Sequence, residues 1–310
     1  MSGILWLVLS GTSLAFLRSS SRLPFRRTAL SQSVNRCATS SSFAMSAASS
    51  FCLAAYLRRI GLELTVRKPS HAVLTAIMAA QSRAIAFENI DVVLRKSISI
   101  APEDVEEKLV ASGRGGYCFE QNQLLASALQ SLGFDVSPML CRVRWNKAPD
   151  EHTTFTHVAL AVKLDEGNYL ADVGFAGTNS IAPVLLGTEE PQKLPEGFFR
   201  TVRDAGYTTL QWQLKDSWRD LYMFKEEACL PIDLELSNWW SCTYPKARFT
   251  SQFFVARVVG DERHHILNNS YGTVTPVHRR LFLDRFTACV KVSRFLEYVV
   301  EVLSVQFDNR

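Results

Sequence analysis

The apolar pattern of this 310-residue chain changes period around Gly133. Between residues 55 and 134 it is mostly helical. Ala76, Ile77, Ala80 and Ala84 recur at helical spacing, and Leu124, Leu125, Ala128, Leu129 and Leu132 form a stripe that stops at Gly133. Pro102, Glu103 and Asp104 open a further helix, expected to run to Val110. From Val136 a period of two takes over. It predicts strands at 136–145, 157–164, 169–175, 207–214 and 218–224, with a turn over 165–168 and more β character at 257–259 and 274–278. A closing helix near 293–303 is expected, where Val292, Phe295, Leu296, Val299 and Leu303 share a face. Helices first and strands afterwards make an α+β chain. The expected parts are a helical domain over 47–135, a β-barrel over 136–240 and a smaller α/β lid over 241–310.

Just before the change of period stands Arg114-Gly115-Gly116-Tyr117-Cys118-Phe119-Glu120-Gln121-Asn122. Cys118 follows two glycines and opens a helix-forming run. A helix N-terminus favours the thiolate, and a thiolate is a good acyl acceptor. Two glycines before it permit close approach of a substrate to the backbone. Downstream, His157 and Asp172 each fall in a strand-like segment. Cysteine, histidine and carboxylate are the chemistry of nucleophile, base and the group that orients the base. Alternation puts His157 on a small-residue face with Ala159 and Ala161, which can admit the helix end carrying the cysteine. Asp172 among apolar neighbours needs a partner, and His157 can supply one. A turn centred on Glu166-Gly167 leaves the two four residues out of register, about 13 Å along a strand. A shifted register, a bulge or strong twist is therefore required. Glu88 and Arg114 are candidates for a supporting buried ion pair. His152 lies in a polar loop and is expected to be solvated.

The run around Cys118 resembles the active-site segment of the arylamine N-acetyltransferases. Ala84-Ile85-Ala86-Phe87-Glu88-Asn89, Thr156-His157-Val158-Ala159-Leu160 and Leu170-Ala171-Asp172-Val173-Gly174-Phe175 match that family in the same order. The resemblance implies a papain-like or transglutaminase-like core built on Cys118, His157 and Asp172, with Phe87, Trp145 and Phe175 around the acceptor pocket. It also implies ping-pong acetyl transfer through an acetyl-cysteine. Acetyl-CoA would be the cosubstrate and CoA a bound partner, with no metal. The acceptors would be arylamines, hydrazines or N-hydroxyarylamines, in xenobiotic metabolism. Ala86 stands where the family commonly has proline, Ala176 where it has glycine, and Met78 and Gln81 where histidines are frequent. These departures bear on specificity, since nucleophile, base and orienter are all present. A thiol acyl hydrolase or transglutaminase-like enzyme would share the triad, and an inactive CoA-binding or aromatic-binding scaffold would keep the pockets without turnover.

Charge is unevenly spread. Residues 1–62 hold seven arginines and no acid, and the remainder has 27 basic against 30 acidic residues. The overall +4 thus describes the leader, and nucleic-acid binding loses its support. The first 46 residues are Arg/Ser-rich and acid-free, as in a transit peptide for a plastid or mitochondrion. The apolar run 4–17 is too short for a membrane span but signal-like. Signal-like and Arg/Ser-rich parts in series resemble the two-part leaders of some secondary-plastid proteins. Met45 offers an alternative start for a cytoplasmic form. Seven scattered cysteines without a C-x-x-C pair give neither a disulfide framework nor a zinc site. Apart from Cys118, most are expected to be small buried hydrophobes. A monomer or weak oligomer is expected.

Overall fold

The structure, a computed structural model, describes residues 51–282 apart from 66, 67, 177, 179, 261, 269 and 275–278. The leader and the closing helix expected at 293–303 lie outside the described residues. Three helices form the first layer. α1 (Leu53–Ile60) stops at Gly61, whose φ of 65° is left-handed. α2 (His71–Ala84) starts where the Ser70 hydroxyl accepts the Val73 N–H at 3.3 Å. After β1 (Phe87–Glu88) and the short α3 (Ile90–Val93) and α4 (Pro102–Glu106) comes a π-helical turn, Glu107–Ala111. The single helix expected from Pro102 to Val110 is thus two pieces. α5 (Cys118–Ser131) follows, its Leu124, Leu125, Ala128 and Leu129 buried against Tyr56, Leu74 and Ile77. Gln81 is a polar key inside this layer. Its side chain accepts from Tyr56 Oη at 2.7 Å and donates to Gln121 O at 2.9 Å.

Eight strands make the second layer: β2 (Asp135–Val143), β3 (Phe155–Leu164), β4 (Gly167–Ala171), β5 (Val184–Leu185), β6 (Gln192–Leu194), β7 (Gly197–Asp204), β8 (Tyr207–Leu214) and β9 (Ser217–Phe224). Their order is β5-β4-β3-β2-β9-β8-β7-β6, all pairs antiparallel. The two edges meet through one side chain. Gln192 of β6 accepts from Leu185 N of β5 at 2.8 Å and donates to Leu185 O at 2.9 Å, so the sheet is nearly a closed barrel. Then α6 (Pro231–Thr243) and α7 (Arg248–Ser251) lead to β10 (Phe254–Val259), β11 (Glu262–Leu267), β12 (Ser270–Val274) and β13 (Arg279–Phe282). These four extend β1 into a five-stranded sheet, β1-β10-β11-β12-β13. The segment preceding Cys118 is in this way tied to the last sheet.

Two expectations about the site strands are corrected. The β3–β4 pairing runs Leu164↔Gly167 to Leu160↔Ala171, so Asp165 and Glu166 alone form the turn. The ladder is slipped by two residues from a turn centred on Glu166-Gly167, which halves the offset of Asp172 from His157 to about 7 Å. Asp172 then leaves the strand, which ends at Ala171 rather than Phe175. The face of β3 is also other than expected. Leu160 and Val162 pack on the helices and Val158 packs near Cys118, while Ala159 lies in the barrel interior with Met139, Cys141 and Leu170. Larger apolar side chains suit the helix layer, and the crowded barrel interior takes the alanine. The cysteine helix reaches His157 past an irregularity. Cys141 pairs with His157 and Arg142 with Phe155, leaving Thr156 as an extra, bulged residue.

Candidate active site

Cys118 is the first residue of α5 and is 2% exposed. Its Sγ lies 3.7 Å from Thr156 O, the carbonyl of the bulge next to His157. Burial, then the negative charge of Asp172, push this thiol up, while the N–H groups of Phe119 and Val158 pull the other way. The thiol therefore needs a base to take its proton. His157 is buried, and its Nε2 stands 2.8 Å from Asp172 Oδ2. Its ring sits between Phe175, 5.0 Å away at 69°, and Tyr222, 4.8 Å away at 50°. Asp172 is 5% exposed. Burial opposes its ionisation, but His157, Asn122 and the Gly174 N–H outweigh it and hold the carboxyl below its ordinary range.

The loop carrying Asp172 presses on the cysteine helix. A Cβ on Gly174 would stand 2.7 Å from Cys118 Cα and 2.8 Å from Asn122 Nδ2, so only glycine fits. Gly116 has a different reason from substrate approach. A Cβ there would stand 2.7 Å from Glu120 Oε2, the atom that accepts the Tyr117 N–H at 3.0 Å. This carboxylate caps the helix one turn from its start. Burial raises Glu120 to about 7 against the pull of Lys108.

Glu88 and Arg114 stand together, Arg114 Nη2 2.7 Å from Glu88 Oε1. The same guanidinium reaches Asp91 at 3.2 Å. Lys108 bridges Asp91 at 2.8 Å and Glu120 at 2.7 Å. Burial works against the Lys108 charge, but Glu120, Glu88 and Asp91 together raise its pKa. This network lies behind the helix entrance and does not line the cleft. Sequence reading missed Asp91, Lys108 and Glu120, although a glutamate three residues after the residue preceding a helix is a capping signal.

A cleft of about 680 Å³ opens over Cys118 and His157. Phe87, Trp145 and Phe175 all line it. Phe87 meets Phe254 edge-on at 5.6 Å, and Trp145 stacks on Trp212 at 6.5 Å, so each also belongs to an aromatic wall. His152 is exposed on the rim. Among the described residues no group of three or more His, Cys, Asp or Glu side chains is placed to hold a metal ion. No described helix is long and apolar enough to cross a membrane. The described cysteines are free; Cys118, Cys141 and Cys242 are buried, Cys229 is half-buried, and Cys52 is exposed beside the start of α1. The last two correct the expectation of burial.

A buried cysteine at a helix start, a strand histidine and a carboxylate bonded to it, beneath an aromatic cleft, make a papain-like core, an arrangement in which a thiol can be activated for acyl transfer. The family described as N-acetyltransferase matches residues 71–304. The arylamine N-acetyltransferase of Mycolicibacterium smegmatis is 37% identical over 231 residues, 73% of this chain and 82% of that one. The arylamine N-acetyltransferase / N-hydroxyarylamine O-acetyltransferase of Salmonella typhimurium is 33% identical over 66% of this chain and 73% of its own length. The structure of the Mycobacterium marinum arylamine N-acetyltransferase in complex with CoA superposes with a TM-score of 0.74 at 31% identity, covering 81% of this chain and 94% of that one. The chain belongs to the arylamine N-acetyltransferase family.

Proposed function

We propose that the protein is an acetyl-CoA-dependent arylamine N-acetyltransferase in which Cys118 carries the acetyl group. The observation that carries the reading is the buried His157–Asp172 pair beside the Cys118 helix entrance, under the aromatic cleft. His157 takes the thiol proton, and Asp172 holds the imidazole and stabilises the imidazolium that forms. The thiolate attacks the thioester carbonyl. N–H groups at the helix entrance stabilise the tetrahedral oxyanion. The C–S bond to CoA breaks, and the CoA thiolate recovers a proton from His157. An arylamine or hydrazine then attacks acetyl-Cys118, loses its proton to His157 and leaves as the amide. N-hydroxyarylamines are taken as O-acetyl acceptors by the same route.

Phe87, Trp145 and Phe175 contact the acceptor in this reading, and Glu88 with Arg114 supports the loop leading to Cys118. Lys246, Arg248 and His152 on the cleft lining favour the phosphates of CoA. The protein works as a monomer or weak oligomer. Its Arg/Ser-rich leader directs it to a plastid or mitochondrion. N-terminal sequencing of the native protein tests that address, and a first residue near Met45 with no organellar pool would favour a cytoplasmic enzyme. Initial rates at varied acetyl-CoA and arylamine test the reaction. Parallel double-reciprocal lines are expected, with amide formed in step with CoA release. CoA release that no amine or hydrazine diverts into amide would favour the thiol hydrolase instead.

A further inference from the structure

The Asp172 carboxylate must keep its charge and aim one oxygen at His157, and a side chain of the nucleophile helix serves both needs. Asn122 lies four residues after Cys118 on α5 and is fully buried. Its Nδ2 donates to Asp172 Oδ1 at 2.9 Å and to Val158 O at 2.7 Å. Its Oδ1 accepts the Val173 N–H at 3.0 Å. One amide thus joins the helix of Cys118, the residue after His157, and both Asp172 and its successor. Asp172 Oδ1 takes a second bond from Gly174 N at 2.8 Å, which leaves Oδ2 for His157. Two donors on one oxygen fix the rotation of the carboxylate and stabilise its negative charge.

We infer that Asn122 is the positioning residue that couples the nucleophile helix to the base–carboxylate pair, and that it sets the pH at which Cys118 becomes a thiolate. This rests on the reading of Cys118 as nucleophile and His157 as its base. When His157 takes the thiol proton, the new imidazolium depends on an ionised, correctly turned Asp172. Without the Asn122 donor the carboxylate is less stabilised and less firmly held in rotation, with Gly174 N still on Oδ1, so proton transfer from sulfur becomes harder. The other titratable groups around the pair are Cys141 and Tyr222 of the barrel, Tyr117 and Glu120 at the helix entrance, and Arg263 of the last sheet. Among these and Asp172, only Asp172 shares a side-chain hydrogen bond with Asn122.

The test is the pH dependence of Cys118 alkylation by iodoacetamide, with the adduct mapped by peptide mass, alongside steady-state kinetics. Asn122→Ala is expected to move the alkylation midpoint up by about one pH unit, a tenfold loss of thiolate at neutral pH. It should lower kcat roughly 100-fold, within the ~10²–10⁴ that a positioned base contributes, and leave KM for the amine nearly unchanged. Asn122→Asp keeps the side-chain volume should the alanine variant fail to fold. It sets a second carboxyl beside Asp172, where both cannot ionise freely, and is expected to raise the midpoint similarly. Gln121→Ala serves as control, because Gln121 is equally buried but donates to Ala86 O at 2.9 Å. It should lower the melting temperature without moving the midpoint. Asn122 variants that melt earlier yet keep the wild-type midpoint and kcat would make Asn122 merely structural and overturn the inference. Alkylation of active wild-type protein at a residue other than Cys118 would instead overturn the nucleophile reading, and this inference with it.

Discussion

Two buried carboxylate clusters flank the entrance of the Cys118 helix, and they handle charge in opposite ways. On the cleft side Asp172 meets His157 at 2.8 Å and takes neutral donors from Asn122 and Gly174. In the proposed reaction its charge faces a proton that moves. On the far side Glu88, Asp91 and Glu120 are interlocked with Arg114 and Lys108 at 2.7–3.2 Å. There the charges are spent on one another and on backbone N–H groups, Ile90 N reaching Glu88 at 2.8 Å. Burial of an acid does not by itself mark chemistry. What marks it is a mobile proton within reach and an opening to substrate.

The largest effect is expected at Asp172. Asp172→Asn removes the charge and permits the wrong histidine tautomer, so kcat should fall by ~10⁴-fold while the fold stays intact. Turnover within tenfold of wild type, with unchanged circular dichroism, would place the working charge elsewhere. Next comes Arg114→Met on the far side. It leaves Glu88 and Asp91 short of a cation, and losing one partner of a buried pair costs ~3–5 kcal/mol. Chemical denaturation should report that loss, while surviving folded protein keeps the wild-type pH profile of Cys118 alkylation. A smaller effect is expected from Glu120→Gln. Burial raises Glu120 from the ordinary 4.5 to about 7, so the folded protein holds a proton that the unfolded chain releases in that window. Wild-type stability should therefore fall as pH rises from 4.5 towards 7 and level off above it, a component of roughly 3 kcal/mol. Glutamine still accepts the Tyr117 N–H and should flatten this part of the melting profile. An unchanged slope would mean that Lys108 keeps Glu120 ionised throughout.

The order of Cys118, His157 and Asp172 was legible along the chain, and so were the helix that Cys118 opens and the strand that holds His157, whereas Asp172 stands one residue past the end of the strand expected to hold it. Their geometry was less so. Hairpin register depends on turn backbone, and the stretch around Glu166 admits more than one turn; the two-residue form that occurs sets Gly167 at φ 150°. Nothing in Thr156 announces a bulge. Asn122 was visible as a letter beside the cysteine, but its partners stand 36 and 50 residues away. Helix α6 carries the signal of a proline at its first turn, yet Ile232, Leu236 and Trp239 are all exposed, so its apolar spacing points to solvent. Of the strands over 184–204, β5 and β6 were missed because they are two and three residues long, and the eight-residue β7 because its buried face is only Phe199 and the polar Thr201. The closure of the barrel by Gln192 depends on both.

If the sulfur of Cys118 carries the acyl group, the acylated enzyme can be trapped. Protein mixed with acetyl-CoA alone and quenched in acid should gain one acetyl group, mapped to Cys118. Addition of an arylamine before the quench should discharge it at a rate no slower than turnover. An acetyl group on any other residue, or turnover by Cys118→Ala at the wild-type rate, would exclude Cys118 as the acyl carrier.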